Sequence, residues 1–147
     1  MKILKEYAGA LTNFEVLDFL RSRGAGKDPT RLIAAIAPSE YKVYDYLEQT
    51  AASRQTRDTV NEFMEKCKIY DLAKAEILNI INIRPSSAAE IDPIIEECDA
   101  RYGEKIELLV ETVSDLLPPP PTQLESEEGI GVDKEQTSDE HQMEVTQ

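Results

Sequence analysis

Apolar residues recur along this chain at three- and four-residue intervals, the spacing that builds one face of a helix. The first such run holds Phe14, Val16, Leu17, Phe19 and Leu20 and fades near Gly24. Thr12 and Glu15 stand where a capping box opens a helix, with Leu11 and Val16 placed as its hydrophobic staple. Residues 24–28 predict a loop, and Asp28-Pro29 is a cap-and-first-turn signal. The run Leu32 to Ile36 fits a short helix over Arg31–Ala37 or an extended segment against a partner, and its pattern does not choose. After Pro38, Ser39 is expected to cap a helix carrying Val43, Tyr44, Tyr46 and Leu47.

A polar stretch, Gln49 to Thr56, predicts a boundary between an N-terminal segment (1–51) and a compact unit (52–117). In that unit Val60, Phe63, Met64 and Cys67 fall at i, i+3, i+4 and i+7. Asp71 is expected to cap a helix with Leu72, Ile77, Leu78, Ile80 and Ile81, closing before Pro85. Ser87 and Glu90 predict a second capping box on a short turn. Asp92-Pro93 restarts a helix bearing Ile94, Ile95, Cys98 and Tyr102, which Gly103 stops. Ile106, Leu109, Val110, Val113 and Leu117 stripe the last helix. No strand-length alternation follows residue 9, so the predicted class is all-α.

Pro118 to Pro121 cannot continue a helix. Beyond them, residues 118–147 hold eight acids and one lysine, net −7 and without a periodic apolar face; a disordered acidic tail is expected. Within it, Thr137-Ser138-Asp139-Glu140 forms a weak acid-directed kinase pattern.

Charge narrows the function. The net −13 opposes autonomous binding to phosphate backbones, and to anionic membranes, and fits a chain whose partners are proteins. No run approaches the ~18 apolar residues of a membrane span. Two cysteines make no secreted-type disulfide framework, so a soluble intracellular chain is expected.

Candidate chemistry is sparse. His141 is the single histidine and lies in the tail, away from anything that could hold it in a triad or metal site. Cys67 and Cys98 sit on apolar stripes and read as buried structural thiols. Gly24-Ala25-Gly26-Lys27 fails as a phosphate loop: Arg21 and Asp28 occupy the required glycine and hydroxyl places, and a helix precedes it. Asp92, Glu96, Glu97 and Asp99 read as a solvated face. No catalytic, cofactor or metal residues are assigned, and no enzyme is expected.

Three stretches carry a resemblance: Leu72-Ala73-Lys74-Ala75-Glu76, Ile80-Ile81-Asn82-Ile83-Arg84-Pro85 and Ala89-Glu90-Ile91, joined by Leu11-Thr12-Asn13-Phe14-Glu15-Val16. They resemble the family of the ninth subunit of DNA-directed RNA polymerase III. That family is also called calcitonin-gene-related-peptide receptor component, and it is related to the polymerase II fourth subunit and to the archaeal counterpart of that protein. The resemblance covers about residues 10–118, with Lys74, Ala75, Glu76, Asn82, Arg84, Pro85 and Glu90 as its marked positions. It implies an HRDC-like helical domain, roughly Arg54 to Leu117. It also implies a non-catalytic stalk subunit in the nucleus, paired with a subunit made of a tip domain and an OB fold. Contacts to the polymerase core and initiation factors would follow. Its alternatives are a cytosolic signalling adaptor of a peptide-hormone receptor complex and a standalone HRDC-type nucleic-acid-binding module; net −6 on the body opposes the latter.

The apolar residues of the N-terminal segment lead to the same kind of function. Ile3, Leu4, Tyr7, Leu32, Ile33, Ile36, Tyr41 and Tyr44 exceed what a small helix pair covers, and are expected at a partner interface or, alternatively, folded back on the unit. Ile3 to Tyr7 is placed as an edge strand added to the partner's sheet. For Asn82-Ile83-Arg84-Pro85, Pro85 ends the helix and Ile83 is expected to insert between helices. Arg84 either supports the fold or contacts the polymerase or a factor.

Overall fold

A computed structural model describes residues 9–26 and 36–122 of the chain. Among these residues the secondary structure is helical, with seven α-helices and no strand. Most have ten or eleven residues, too short to persist alone, so packing rather than propensity holds them.

Helix α1 (Asn13–Ser22) opens with the expected box: the Glu15 N–H donates to Thr12 Oγ1 at 3.1 Å, and the Thr12 N–H donates to Glu15 Oε2 at 2.7 Å. Its buried face is Phe14, Leu17 and Leu20. The helix closes where Ala25 N–H reaches back to the Leu20 carbonyl (3.0 Å) across Gly24, whose φ of +92° favours glycine. Helix α2 (Pro38–Leu47) packs on α1, tied by the ion pairs Arg21–Glu48 and Arg23–Glu40. Its cap is Ala37, not Ser39. With proline at the first position, the Glu40 carboxylate folds back to accept the Ala37 N–H at 2.8 Å.

Residues 49–56 do not form a polar separator. Ala51 and Ala52 are buried in a 3-10 turn against α1, α2 and α4, and Gln55 is buried behind them. One continuous apolar core therefore runs from Leu17 and Tyr44 to Leu109 and Leu117, across the expected division. Each large aliphatic or aromatic side chain sequestered there contributes on the order of 1.5–3 kcal/mol.

Helix α3 (Arg57–Lys66) buries Val60 and Phe63 and continues through a 3-10 turn, Cys67–Tyr70. Helices α4 (Lys74–Ile83), α5 (Ala88–Ile91), α6 (Cys98–Arg101) and α7 (Ile106–Leu116) follow. Helix α7 lies against α3 and α5, with Leu109 and Val113 facing inward. The segment from Asp92 to Glu97 is a series of turns rather than the expected start of a helix. Ile95, Cys98 and Tyr102 nevertheless all point into the core, so turns satisfied the apolar periodicity as well as a helix would.

Candidate partner-binding surface and the joints that hold it

Both ends of α4 are joints. At the start, Asp71 takes a left-handed conformation (φ 49°) instead of capping, and the helix begins at Lys74. The reason is Glu76, whose carboxylate accepts the Ala73 N–H at 2.7 Å and the Glu96 N–H at 3.3 Å. Arg101 grips the same carboxylate with both terminal nitrogens, at 2.6 and 3.3 Å. Arg101 further donates to the carbonyls of Asp71 (3.1 Å) and Glu96 (3.2 Å), so one guanidinium spans two loops. The Tyr102 hydroxyl closes the cluster on the Tyr70 carbonyl at 2.6 Å. Burial alone would raise the Glu76 pKa, but the Arg101 bonds and charge and the two N–H donors outweigh it and hold the carboxyl below its ordinary range.

The other end of α4 uses amides and one guanidinium. Asn82 Oδ1 accepts the Asn13 N–H (2.8 Å), an orphan donor in the first turn of α1. Gln55 Nε2 donates to the Ile81 carbonyl in the last turn of α4, also at 2.8 Å. Arg84 ends α4 in the left-handed region (φ 52°), and its Nε donates to the Leu117 carbonyl (3.0 Å), the end of α7. Pro85 is buried behind it and bars any further helical turn. Asn82 and Arg84 thus satisfy the termini of two other helices, while Gln55 satisfies the end of α4 itself.

The marked residues therefore divide. Glu76, Asn82, Arg84 and Pro85 are structural joints, whereas Lys74 and Ala75 are exposed on the first turn of α4. Glu90 accepts from the N–H and hydroxyl of Ser86 (2.6 and 3.1 Å), while the Ser87 hydroxyl makes no capping bond, so half of the expected box forms around a neighbouring serine. These bonds lead the influences that hold the Glu90 carboxyl below its ordinary pKa. Ile83 does not insert between helices: it is 58% exposed, because Asn82 and Arg84 on either side are turned toward α1 and α7.

The expected interface residues separate likewise. Ile36 and Tyr44 belong to the core, which takes these two off the exposed surface, and Tyr41 packs against it half-buried. They turn inward because α1 and α2 share the core of the whole body instead of forming an isolated pair. Ile3, Leu4, Tyr7, Leu32 and Ile33 lie outside the described residues, as do His141, the 137–140 run and most of Arg31–Ala37. Cys67 and Cys98 are buried free thiols, and burial pushes the Cys67 thiol up to about 12. Among the described residues, no group of histidines, cysteines and carboxylates is arranged to hold a metal ion, and no helix is long and apolar enough to cross a membrane.

Sequence reading missed Leu11 as a surface residue and gave no role to Gln55. Leu11 is 60% exposed and sits two residues before Asn13, whose N–H meets Asn82.

Among the described residues the body is a set of helices whose ends are interlocked by side-chain hydrogen bonds. The chain belongs to the RNA polymerase Rpb4 family, whose model matches residues 10–117. It is similar to the Dictyostelium discoideum protein named DNA-directed RNA polymerase III subunit rpc9, at 35% identity over 79% of this chain and 91% of that one. The Schizosaccharomyces pombe protein of the same name is 28% identical over 80% of this chain and all of its own length. The Saccharomyces cerevisiae RNA polymerase III subunit RPC9 is 38% identical across 46% of this chain and 42% of its own.

Proposed function

We propose that this chain is a non-catalytic stalk subunit of nuclear RNA polymerase III, paired with an OB-fold subunit and supporting initiation at genes for small structured RNAs. The observation that carries the reading is the family match over nearly the whole described body, together with relatives named as polymerase III subunits that align with 79% and 80% of this chain. The acidic balance supports it: a chain of net −13 leaves nucleic-acid contact to its partners. Ile3, Leu4, Tyr7, Leu32 and Ile33 are assigned to the partner interface.

The test is immunoprecipitation of the tagged full-length chain from nuclear extract. The precipitate is expected to contain the largest polymerase III subunit and the OB-fold subunit in stoichiometric amounts, and to transcribe a small structured RNA gene. A chain that precipitates free of polymerase, or with membrane receptor complexes instead, overturns the proposal.

A further inference from the structure

Residues 92–102 are held differently from the helices around them. Their backbone–backbone hydrogen bonds close within single turns, such as Ile95 N–H to the Ile91 carbonyl and Tyr102 N–H to that of Cys98. Yet the stretch buries Ile95, Cys98 and Tyr102 in the core. Among the described residues, the hydrogen bonds that tie it to remote parts of the chain all reach one patch, residues 70–76. Arg101 is their hub. Its terminal nitrogens engage the Glu76 carboxylate, the Asp71 and Glu96 carbonyls and the Tyr102 hydroxyl, which itself donates to the Tyr70 carbonyl. Bonds chained in this way strengthen one another and are lost together. Each side of the contact also holds a non-glycine residue in left-handed backbone, Asp71 (φ 49°) and Glu97 (φ 51°). Such conformations cost free energy and persist only where their surroundings impose them. A cleft of about 540 Å³ among Asp92, Ile95, Glu97, Cys98, Asp99 and Ala100 thins the packing of the stretch itself.

We infer that residues 92–102 form a strap that opens as a unit while the helical body stays folded, with Arg101 on Glu76 as its latch. Opening gives up the burial of three side chains, but it relieves two left-handed residues and breaks no long-range backbone pairing. Units tied down this sparsely open at lower free energy than the whole domain. The joint at the other end of α4, from Asn82 to α1 and from Arg84 to the end of α7, lies outside the strap and stays made when it lifts. Cys98 is a built-in reporter. It is 3% exposed in the closed strap, where burial leads the influences that raise its thiol pKa, and it gains ordinary reactivity in the open one. Cys67, buried at the end of α3, reports unfolding of the body. The strap is a property of the chain alone and does not depend on the polymerase reading.

The two joints supply the test. A bond broken in both kinds of opening speeds the labelling of both thiols when it is removed; a bond that survives strap opening affects Cys67 alone. Purified full-length wild type, Arg101→Gln and Arg84→Ala are alkylated with dilute iodoacetamide at pH 8, in urea below the unfolding midpoint, so that each rate follows its opening equilibrium. In wild type, Cys98 is expected to react about tenfold or more faster than Cys67. Arg101→Gln should raise both rates by about tenfold or more. Arg84→Ala should raise the Cys67 rate about fivefold and leave that of Cys98 unchanged. Equal rates for the two thiols in wild type, or a Cys98 rate that climbs with that of Cys67 in Arg84→Ala, overturn the strap. A Cys98 rate unmoved by Arg101→Gln overturns the latch. Arg101→Lys, which keeps a charge for Glu76 and loses the fork, replaces Arg101→Gln if circular dichroism shows the latter unfolded. A smaller rise in both rates is then expected, and no rise overturns the latch in the same way.

Discussion

The two ends of α4 do the same job with opposite chemistry. At its start, a carboxylate and a guanidinium knit loops that lie within residues 71–102. At its finish, two amides and an arginine donor reach Asn13, 69 positions from Asn82, and Leu117, 33 positions from Arg84. The charged joint is regional and answers to pH. The mainly amide joint is long-range and does not. Local order in this fold thus depends on ionisation, while the closure of the whole body does not.

The largest effect is expected from making the second joint resemble the first. Gln55→Glu sets a carboxylate oxygen against the Ile81 carbonyl, two acceptors face to face. Keeping that carboxyl protonated at pH 7 costs up to about 4 kcal/mol, from a reference pKa of ~4.3 and 1.36 kcal/mol per unit. The loss should shrink toward pH 4, since a carboxyl with a raised folded pKa loses its stabilising proton as pH rises. Urea unfolding at the two pH values checks this.

Glu76→Gln comes next. Replacing the carboxylate removes charge-assisted bonds and leaves Arg101 without its anion, an expected loss of about 1.5–3 kcal/mol in the same assay at pH 7. Because the folded Glu76 pKa is depressed, its contribution is full above the unfolded value near ~4.3 and lost as pH falls through the lower folded one. The variant should therefore show a shallower acid limb than wild type below pH ~4.5. Asn82→Ala should leave that limb unchanged, which sharpens the contrast between the joints.

Asn82→Ala itself is expected to cost about 1 kcal/mol, as for a lost cap, and to speed amide exchange at the start of α1 more than in α7. Arg84 separates two terms. Arg84→Ala loses the bond to Leu117 and keeps the left-handed backbone, an expected loss of about 1 kcal/mol. Arg84→Gly loses the same bond but relieves roughly 1 kcal/mol of backbone cost, so its unfolding midpoint should match wild type closely. The smallest effect concerns Cys67: with its thiol pushed up to about 12, alkylation at pH 8 should be negligible until urea unfolds the chain.

What the sequence made legible follows from how local each signal is. The Thr12–Glu15 box needs only four residues and formed as read. The Val60–Phe63–Cys67 stripe and the α7 stripe are single-helix periodicities, and they too formed, although Met64 is exposed at the stripe's edge. The start of α4 was misread because the capping group, Glu76, lies inside the helix and is fixed by an arginine 25 positions away. Residues 92–97 were misread because periodicity records which side chains go inward, not how the backbone carries them there. Ile36 and Tyr44 were assigned outward because their cover comes from elements remote in sequence.

Ala52, 1% exposed, lies in a turn that touches α1, α2 and α4 at once. A methyl group there acts as a feeler gauge between the two halves of the molecule, setting how near their backbones can come. Any bulkier replacement would have to be matched by trimming on helices encoded before and after it. Substitution at this position is thus coupled to helices on both sides of it in the chain.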